Sequence, residues 1–374
     1  MKFDLGSNLI SAVFGAVVAL IINGFWHLTK RGSSLIWRRV KRRNDLHNGS
    51  FHEDCIIVAS GFPLISPDNI RVRMDNSFDF FFSLPSQYRG IISESENYHR
   101  SDEIPFAISA GNVSDMMISE TLSQAKEKVA KCFYEKREGC NFNGAMVGIK
   151  SIDSLARTVN GTEDPILDIQ LFRTDYYTHR VAEELRNRLG IDETAVDFDF
   201  LHNIGNSWLR SSLGLSIIVI LKCSNEIILT KRSKNVAYSE GKEWIYVSAT
   251  ETFSETDYDI YSKQFDLQLC LLRGLSEELG IDRHMVELSS IRFYDSFFEK
   301  QFFQDNVVAS VEIKEKYSFD SVAELRGKDK PIEVSDMWTI PNTKKDIDYY
   351  IDRHKSEMRA QTIFSLRSYA SMNF

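Results

Sequence analysis

Residues 273–281 read Arg-Gly-Leu-Ser-Glu-Glu-Leu-Gly-Ile. Leu275 and Leu279 stand four apart and share one helical face, with a carboxylate pair, Glu277 and Glu278, between them. Gly280 followed by an aliphatic residue is a helix-stop signal. Traced backwards, the same amphipathic pattern predicts a helix over residues 263–279. Arg273 and Glu277 fall at i and i+4, the spacing of a helical ion pair.

The elements around this helix follow from hydrophobic period. Residues 213–221 form a nearly continuous apolar strand. Asn225-Glu226 makes a turn, and residues 227–231 return as the second arm of a hairpin. A third strand is expected at 244–249, then others at 286–294 and 307–313 and near Trp338. Helices over 346–354 and 357–367 close the chain. Upstream, strands are expected at 55–59, 78–83, 145–150 and 165–172, with helices at 114–137 and 177–189, the latter closed by Gly190. The expected fold class is α+β: a single N-terminal transmembrane helix, a mixed α/β region and a final α/β/α sandwich.

Four segments result: a transmembrane helix at 5–29, a basic juxtamembrane linker at 30–50, an α+β region of unassigned role at 51–204, and the motif-bearing domain at 205–374. Residues 5–29 contain no Asp, Glu, Lys or Arg, and a run of that length crosses a bilayer as a helix. The positive charge follows this run rather than preceding it, which favours an anchor with a cytoplasmic C-terminal portion over a cleaved signal. Ser7, Ser11, Gly15 and Ala19, continued by Asn23, recur every four residues as a stripe suited to helix association. The expected location is the bacterial inner membrane, single-pass.

The chain has 374 residues and a net charge of −8. Residues 30–43 carry seven basic residues and no acid, which leaves the part after them close to −15. The basic stretch suits anionic inner-membrane lipids, while the acidic body excludes nonspecific binding of long nucleic acid. Five cysteines, odd in number and without zinc spacing, read as reduced thiols.

The stretch at 273–281 resembles the second half of the Nudix box. That box runs Gly, five residues, Glu, seven residues, Arg-Glu, an aliphatic residue, any residue, Glu-Glu, any residue, Gly and an aliphatic residue. The resemblance covers residues 205–374 and implies a Nudix-like fold, with carboxylates on one helical face that bind Mg²⁺ or Mn²⁺ and activate water on a diphosphate. Glu277 and Glu278 hold the paired positions and are the metal ligands if binding is retained. Gly274 stands where the glutamate after the arginine belongs. Phe265 replaces the earlier glutamate, and Asp259 the first glycine. With two glutamates missing, the expectation is binding rather than hydrolysis, with no cofactor beyond Mg²⁺ should residual chemistry survive.

A membrane helix joined to such a domain resembles the transmembrane–Nudix effectors of bacterial cyclic-oligonucleotide-based anti-phage signalling. The resemblance implies sensing of a cyclic oligonucleotide second messenger, self-association and membrane disruption. Lys231, Arg232, Lys234 and Lys242, with Tyr246 and Arg273, are the candidate ligand-binding residues: cations for phosphates, and the aromatics Tyr238, Trp244 and Tyr246 for bases. Two other readings remain open. One is a membrane-tethered, active Nudix pyrophosphohydrolase using displaced acids such as Glu251 or Glu255. The other is a membrane scaffold that binds another protein.

Overall fold

The near-continuous apolar run in β5 (Leu213–Leu221) is explained by burial on both faces. In the computed structural model, Ile217, Val219 and Leu221 face one hydrophobic cluster, while Ile218 and Ile220 face another. A strand alternates its side chains between faces, so a strand covered twice needs apolar residues throughout. The structure describes residues 55–57, 70–93, 99–103, 115–155, 166–191, 196, 197, 200, 201, 203–234, 242–259, 261 and 264–374.

One sheet has the order β1-β11-β12-β5-β6-β13. Its strands are β1 (Cys55–Ile57), β5, β6 (Glu226–Arg232), β11 (Val286–Glu299), β12 (Gln304–Ile313) and β13 (Val334–Pro341). Two short strands lie off this path: β7 (Ile245–Tyr246) on β6, and β8 (Ala249–Thr252) on β5. The hairpin turn predicted at Asn225 forms, with Asn225 at φ 53°, a left-handed conformation that asparagine tolerates. The hairpin itself is bonded only near that turn, at Ile220–Ile227 and Leu221–Glu226. Beyond it, β8 takes the place beside β5 and β12 lies parallel on the other side.

The second sheet runs β3-β4-β2-β10-β9, from β2 (Ile70–Asp79), β3 (Ala145–Leu155), β4 (Ile166–Asp175), β9 (Tyr258–Asp259) and β10 (Gln264–Phe265). Helices α1 (Asp115–Glu135) and α2 (Tyr176–Leu189) belong to this part, and α2 closes at Gly190 with φ 66°. The described residues all lie in one compact unit spanning 49–374. The boundary expected between 204 and 205 is bridged twice: β1 pairs with β11, and β10 pairs with β2.

The motif helix α3 (Leu267–Gly274) covers one face of the first sheet through Leu271 and, just beyond it, Leu275 and Leu279. Past two short helices, α4 (Phe319–Ala323) and α5 (Lys330–Glu333), the C-terminal helices α6 (Lys344–His354) and α7 (Ala360–Asn373) cover the other face through Ile347, Ile351, Ile363, Phe364 and Leu366. Phe364 is fully buried, and such a ring contributes about 3 kcal/mol by burial.

The expected fold class is corrected. Among the described residues no helix is long and apolar enough to cross a membrane. The 21-residue α1 has the length, but it carries Asp115, Glu120, Lys126, Glu127, Lys128, Lys131 and Glu135, and charges at that density exclude a lipid-facing span. What is described is a mixed α/β fold. The transmembrane assignment to residues 5–29, the basic linker at 30–50 and the stripe Ser7, Ser11, Gly15, Ala19 and Asn23 lie outside the described residues.

Candidate functional site

Asp266 starts the motif helix by accepting the Gln268 amide at 2.7 Å. The helix is α only to Gly274. Residues Leu275–Leu279 form a π turn, and Gly280 ends it at φ 76°. The Ile281 amide donates to the Leu275 carbonyl at 3.0 Å, one residue wider than the six-to-one bond of an ordinary glycine-capped end, as the π turn requires. A π turn inserts one residue into the helical phase. Here Glu278 is buried together with Leu275 and Leu279, while Glu277 keeps 29% of its side chain exposed. The two motif carboxylates therefore meet different environments.

Arg273 is the centre of one cluster. Its Nε and Nη2 each donate to Asp257 at 2.9 Å, a parallel two-bond fork. Asp257 is presented by a three-residue turn with a capping box on Ser254. Nη2 also donates to the Thr252 carbonyl at 2.8 Å, and Nη1 lies 2.9 Å from Glu251. The expected helical pair with Glu277 is present at 3.5 Å, longer than the other three contacts. Burial raises the Glu251 carboxyl to about 7, against the pull of the Arg273 guanidinium. Lys328 approaches Glu277 from outside at 3.6 Å.

Arg232, the last residue of β6, is the centre of the second cluster. Its Nη2 donates to Glu278 at 2.9 Å, to Glu333 at 2.7 Å and to the Thr250 hydroxyl at 2.8 Å. The Thr250 amide donates to the other Glu278 oxygen at 3.0 Å. Desolvation is the largest influence on Glu278 and raises its pKa, with Arg232 opposing. The Tyr246 ring lies beneath two guanidinium groups, 5.1 Å from Arg232 and 5.4 Å from Arg359, and its hydroxyl accepts from Arg359 at 2.7 Å. Tyr246 is buried, so its ring is committed to internal packing rather than presented to a base.

The remaining candidates lie on the rim. Adjacent strand residues point to opposite faces. Lys231 turns away from Arg232 and pairs with Glu243 at 3.4 Å. Lys242 lies over Trp244, 5.4 Å from the ring centre. Lys234 is exposed, and Tyr238 is outside the described residues. Of the displaced acids, Glu251 reaches the motif helix, whereas Glu255 pairs with Arg173 of β4 at 2.8 Å. Asp257, Thr250 and Glu333 were not singled out by sequence reasoning. Asp257 and Thr250 lie in the long loop and strand before the helix, and nothing local marks them as partners of Arg273 or Glu278.

The Mg²⁺ that the Nudix resemblance implies does not fit these residues. Guanidinium nitrogens occupy Glu278 and Glu251 at 2.9 Å. A Cβ built on Gly274 would stand 2.7 Å from the Glu251 Cβ, so no glutamate fits there. Among the described residues no three His, Cys, Asp or Glu side chains are placed to hold a metal ion.

No family model matches this chain, and no curated protein matches it. A solved structure similar to part of it is that of DR0079 from Deinococcus radiodurans, at 12% identity and a TM-score of 0.29, covering 42% of this chain and 82% of that one. A likeness of that size carries no argument about activity.

Proposed function

We propose that this chain is a nucleotide sensor in which a degenerate Nudix-like site binds its ligand instead of hydrolysing it. The ligand class proposed is a cyclic oligonucleotide, and the consequence of binding is self-association. The observation that carries the reading is the Arg232–Glu278 ion pair: the carboxylate that would bind a metal is neutralised by a guanidinium 2.9 Å away. A cation already in place favours an anionic ligand over a metal-activated water. Lys234, exposed just past the end of β6, and Lys242, ahead of β7, add positive charge nearby in the chain.

Glu251 supports the rival reading, an active pyrophosphohydrolase, because it brings an acid to the helix position that lost one. One experiment separates the two. The full-length chain is titrated calorimetrically with cyclic di- and trinucleotides in the absence of divalent metal, and assayed with Mg²⁺ for turnover of nucleoside diphosphate derivatives. Saturable binding with no turnover is the expected result, accompanied by a larger sedimentation coefficient. Mg²⁺-dependent cleavage abolished by Glu278→Gln would establish the enzyme instead. Neither binding nor turnover would refute both.

A further inference from the structure

We infer that Arg232 receives a phosphate of the ligand and that Glu333 is the carboxylate displaced when it does so. This inference rests on the anion-binding reading above and adds to it an internal competitor. Arg232 Nη2 has three acceptors within 2.9 Å: the Thr250 hydroxyl, Glu278 and Glu333. A terminal guanidinium nitrogen carries two hydrogens, so one acceptor is in excess. Glu278 is the secure one. Its side chain is 7% exposed, and its second oxygen is held by the Thr250 amide. Glu333 is the loose one. Its side chain is 29% exposed, and its carboxylate has Arg232 as its one hydrogen-bond partner among the described residues.

The Nε and Nη1 positions of Arg232 have no hydrogen-bond partner among the described residues. Their N–H bonds diverge, so either two-bond fork that matches a phosphate, Nε with Nη2 or Nη1 with Nη2, also needs a hydrogen of Nη2, which its three present acceptors compete for. A phosphate seated there would put three anions on one guanidinium if both carboxylates stayed. Repulsion at such distances is only partly screened away from bulk water, and Glu333 is the anion that solvent can take back most cheaply. Only its side chain needs to swing. The Glu333 carbonyl accepts the Ser233 amide at 2.8 Å, and Val334 pairs with Arg232 in the ladder, so the main chain stays in place.

The test is calorimetric titration of the full-length chain with two probes, inorganic pyrophosphate and cyclic di-AMP. Glu333→Gln keeps size and removes the competing charge, so both probes should bind about two- to fivefold tighter, the range set by loss of one partly exposed ion pair. Glu333→Asp draws the carboxylate back by one methylene and should tighten binding less; it carries the test if Glu333→Gln does not fold. Arg232→Gln should abolish binding of both. A residue that merely holds the fold would lower the unfolding temperature and leave these affinities unchanged. Unchanged affinity in the Glu333 variants, with cyclic di-AMP still bound, overturns the displacement and leaves the sensor reading standing. Tighter pyrophosphate binding with no cyclic nucleotide bound by any variant supports the displacement and refutes that reading. Failure of every variant to bind either probe overturns both.

Discussion

A Cβ on Gly274 would stand 2.7 Å from the Cβ of Glu251. The motif helix thus lies directly on β8, and the Glu251 side chain of that strand occupies the space beside Gly274. Gly274→Ala should destabilise the fold even though alanine is the better helix former by about 1 kcal/mol. The clash is with an atom attached to strand backbone, and overpacking of that kind costs about 1–3 kcal/mol. Gly274→Glu should lose more and gain no Mg²⁺-dependent activity. Thermal unfolding checks both, and a raised midpoint for Gly274→Ala would contradict the packing argument.

The buried Glu251 carboxyl makes stability depend on pH. Burial raises it from an ordinary 4.5 to about 7. Between those values the folded chain holds a proton that the unfolded chain has released. The unfolded state then binds fewer protons, so stability falls as pH rises through the window and the full loss is present above it. Glu251→Gln removes this proton uptake. Denaturant titrations from about pH 5 to about pH 8 should show a shallower decline for the variant, which should exceed the parent chain at the alkaline end. An unaltered slope would show that Glu251 is ionised in the folded state.

Arg273 keeps Asp257 neutralised in the interior. The Asp257 side chain is 1% exposed. Arg273→Ala would leave that charge buried and unpaired, a loss of about 3–5 kcal/mol. Arg273→Lys retains the charge but not the two-bond fork, so an intermediate loss is expected. Unfolding free energies from guanidinium titration measure both. Equal stability of the alanine variant and the parent would show that the cluster is not what holds the loop before the helix.

Gly280 and Gly327 meet backbone to backbone. A Cβ on Gly327 would stand 2.4 Å from the Glu277 carbonyl, and one on Gly280 would stand 2.8 Å from the carbonyl carbon of Arg326. Each alanine substitution should destabilise by about 2 kcal/mol or more, since main chain on both sides blocks relief. Because both act on one contact, the double variant should lose clearly less than the sum of the single losses. Additive losses would mean that the two glycines serve separate contacts.

Much of the first sheet was legible in the sequence. β5 matches residues 213–221, and β6 begins one residue earlier than expected and ends one later. The helix predicted over 263–279 proved to be three pieces. Residues Gln264–Phe265 pair with β2 and β9 as a short strand, α3 follows, and the π turn completes it. Amphipathic period alone does not distinguish these, because Phe265 packs inward either way. The order of strands was also hidden. β12 lies between β5 and β11, and a parallel pairing across more than eighty residues leaves no local trace.

The sequence by itself determined where elements stop and which faces they bury. Gly190 and Gly280 end their helices because a left-handed residue there needs no side chain. The apolar run in β5 announces burial on both sides. The sequence also shows Gly274 and Phe265 at the positions where the Nudix box that this stretch resembles has glutamates. What took their place was decided only by tertiary structure. Arg232 meets Glu278 across 46 residues and Glu333 across 101. Arg273 takes Asp257 at 2.9 Å on two bonds and leaves its helical neighbour Glu277 at 3.5 Å. Helical spacing makes a contact available, but the partner is chosen by which carboxylate the fold buries beside the guanidinium, because there the charge has no water to turn to.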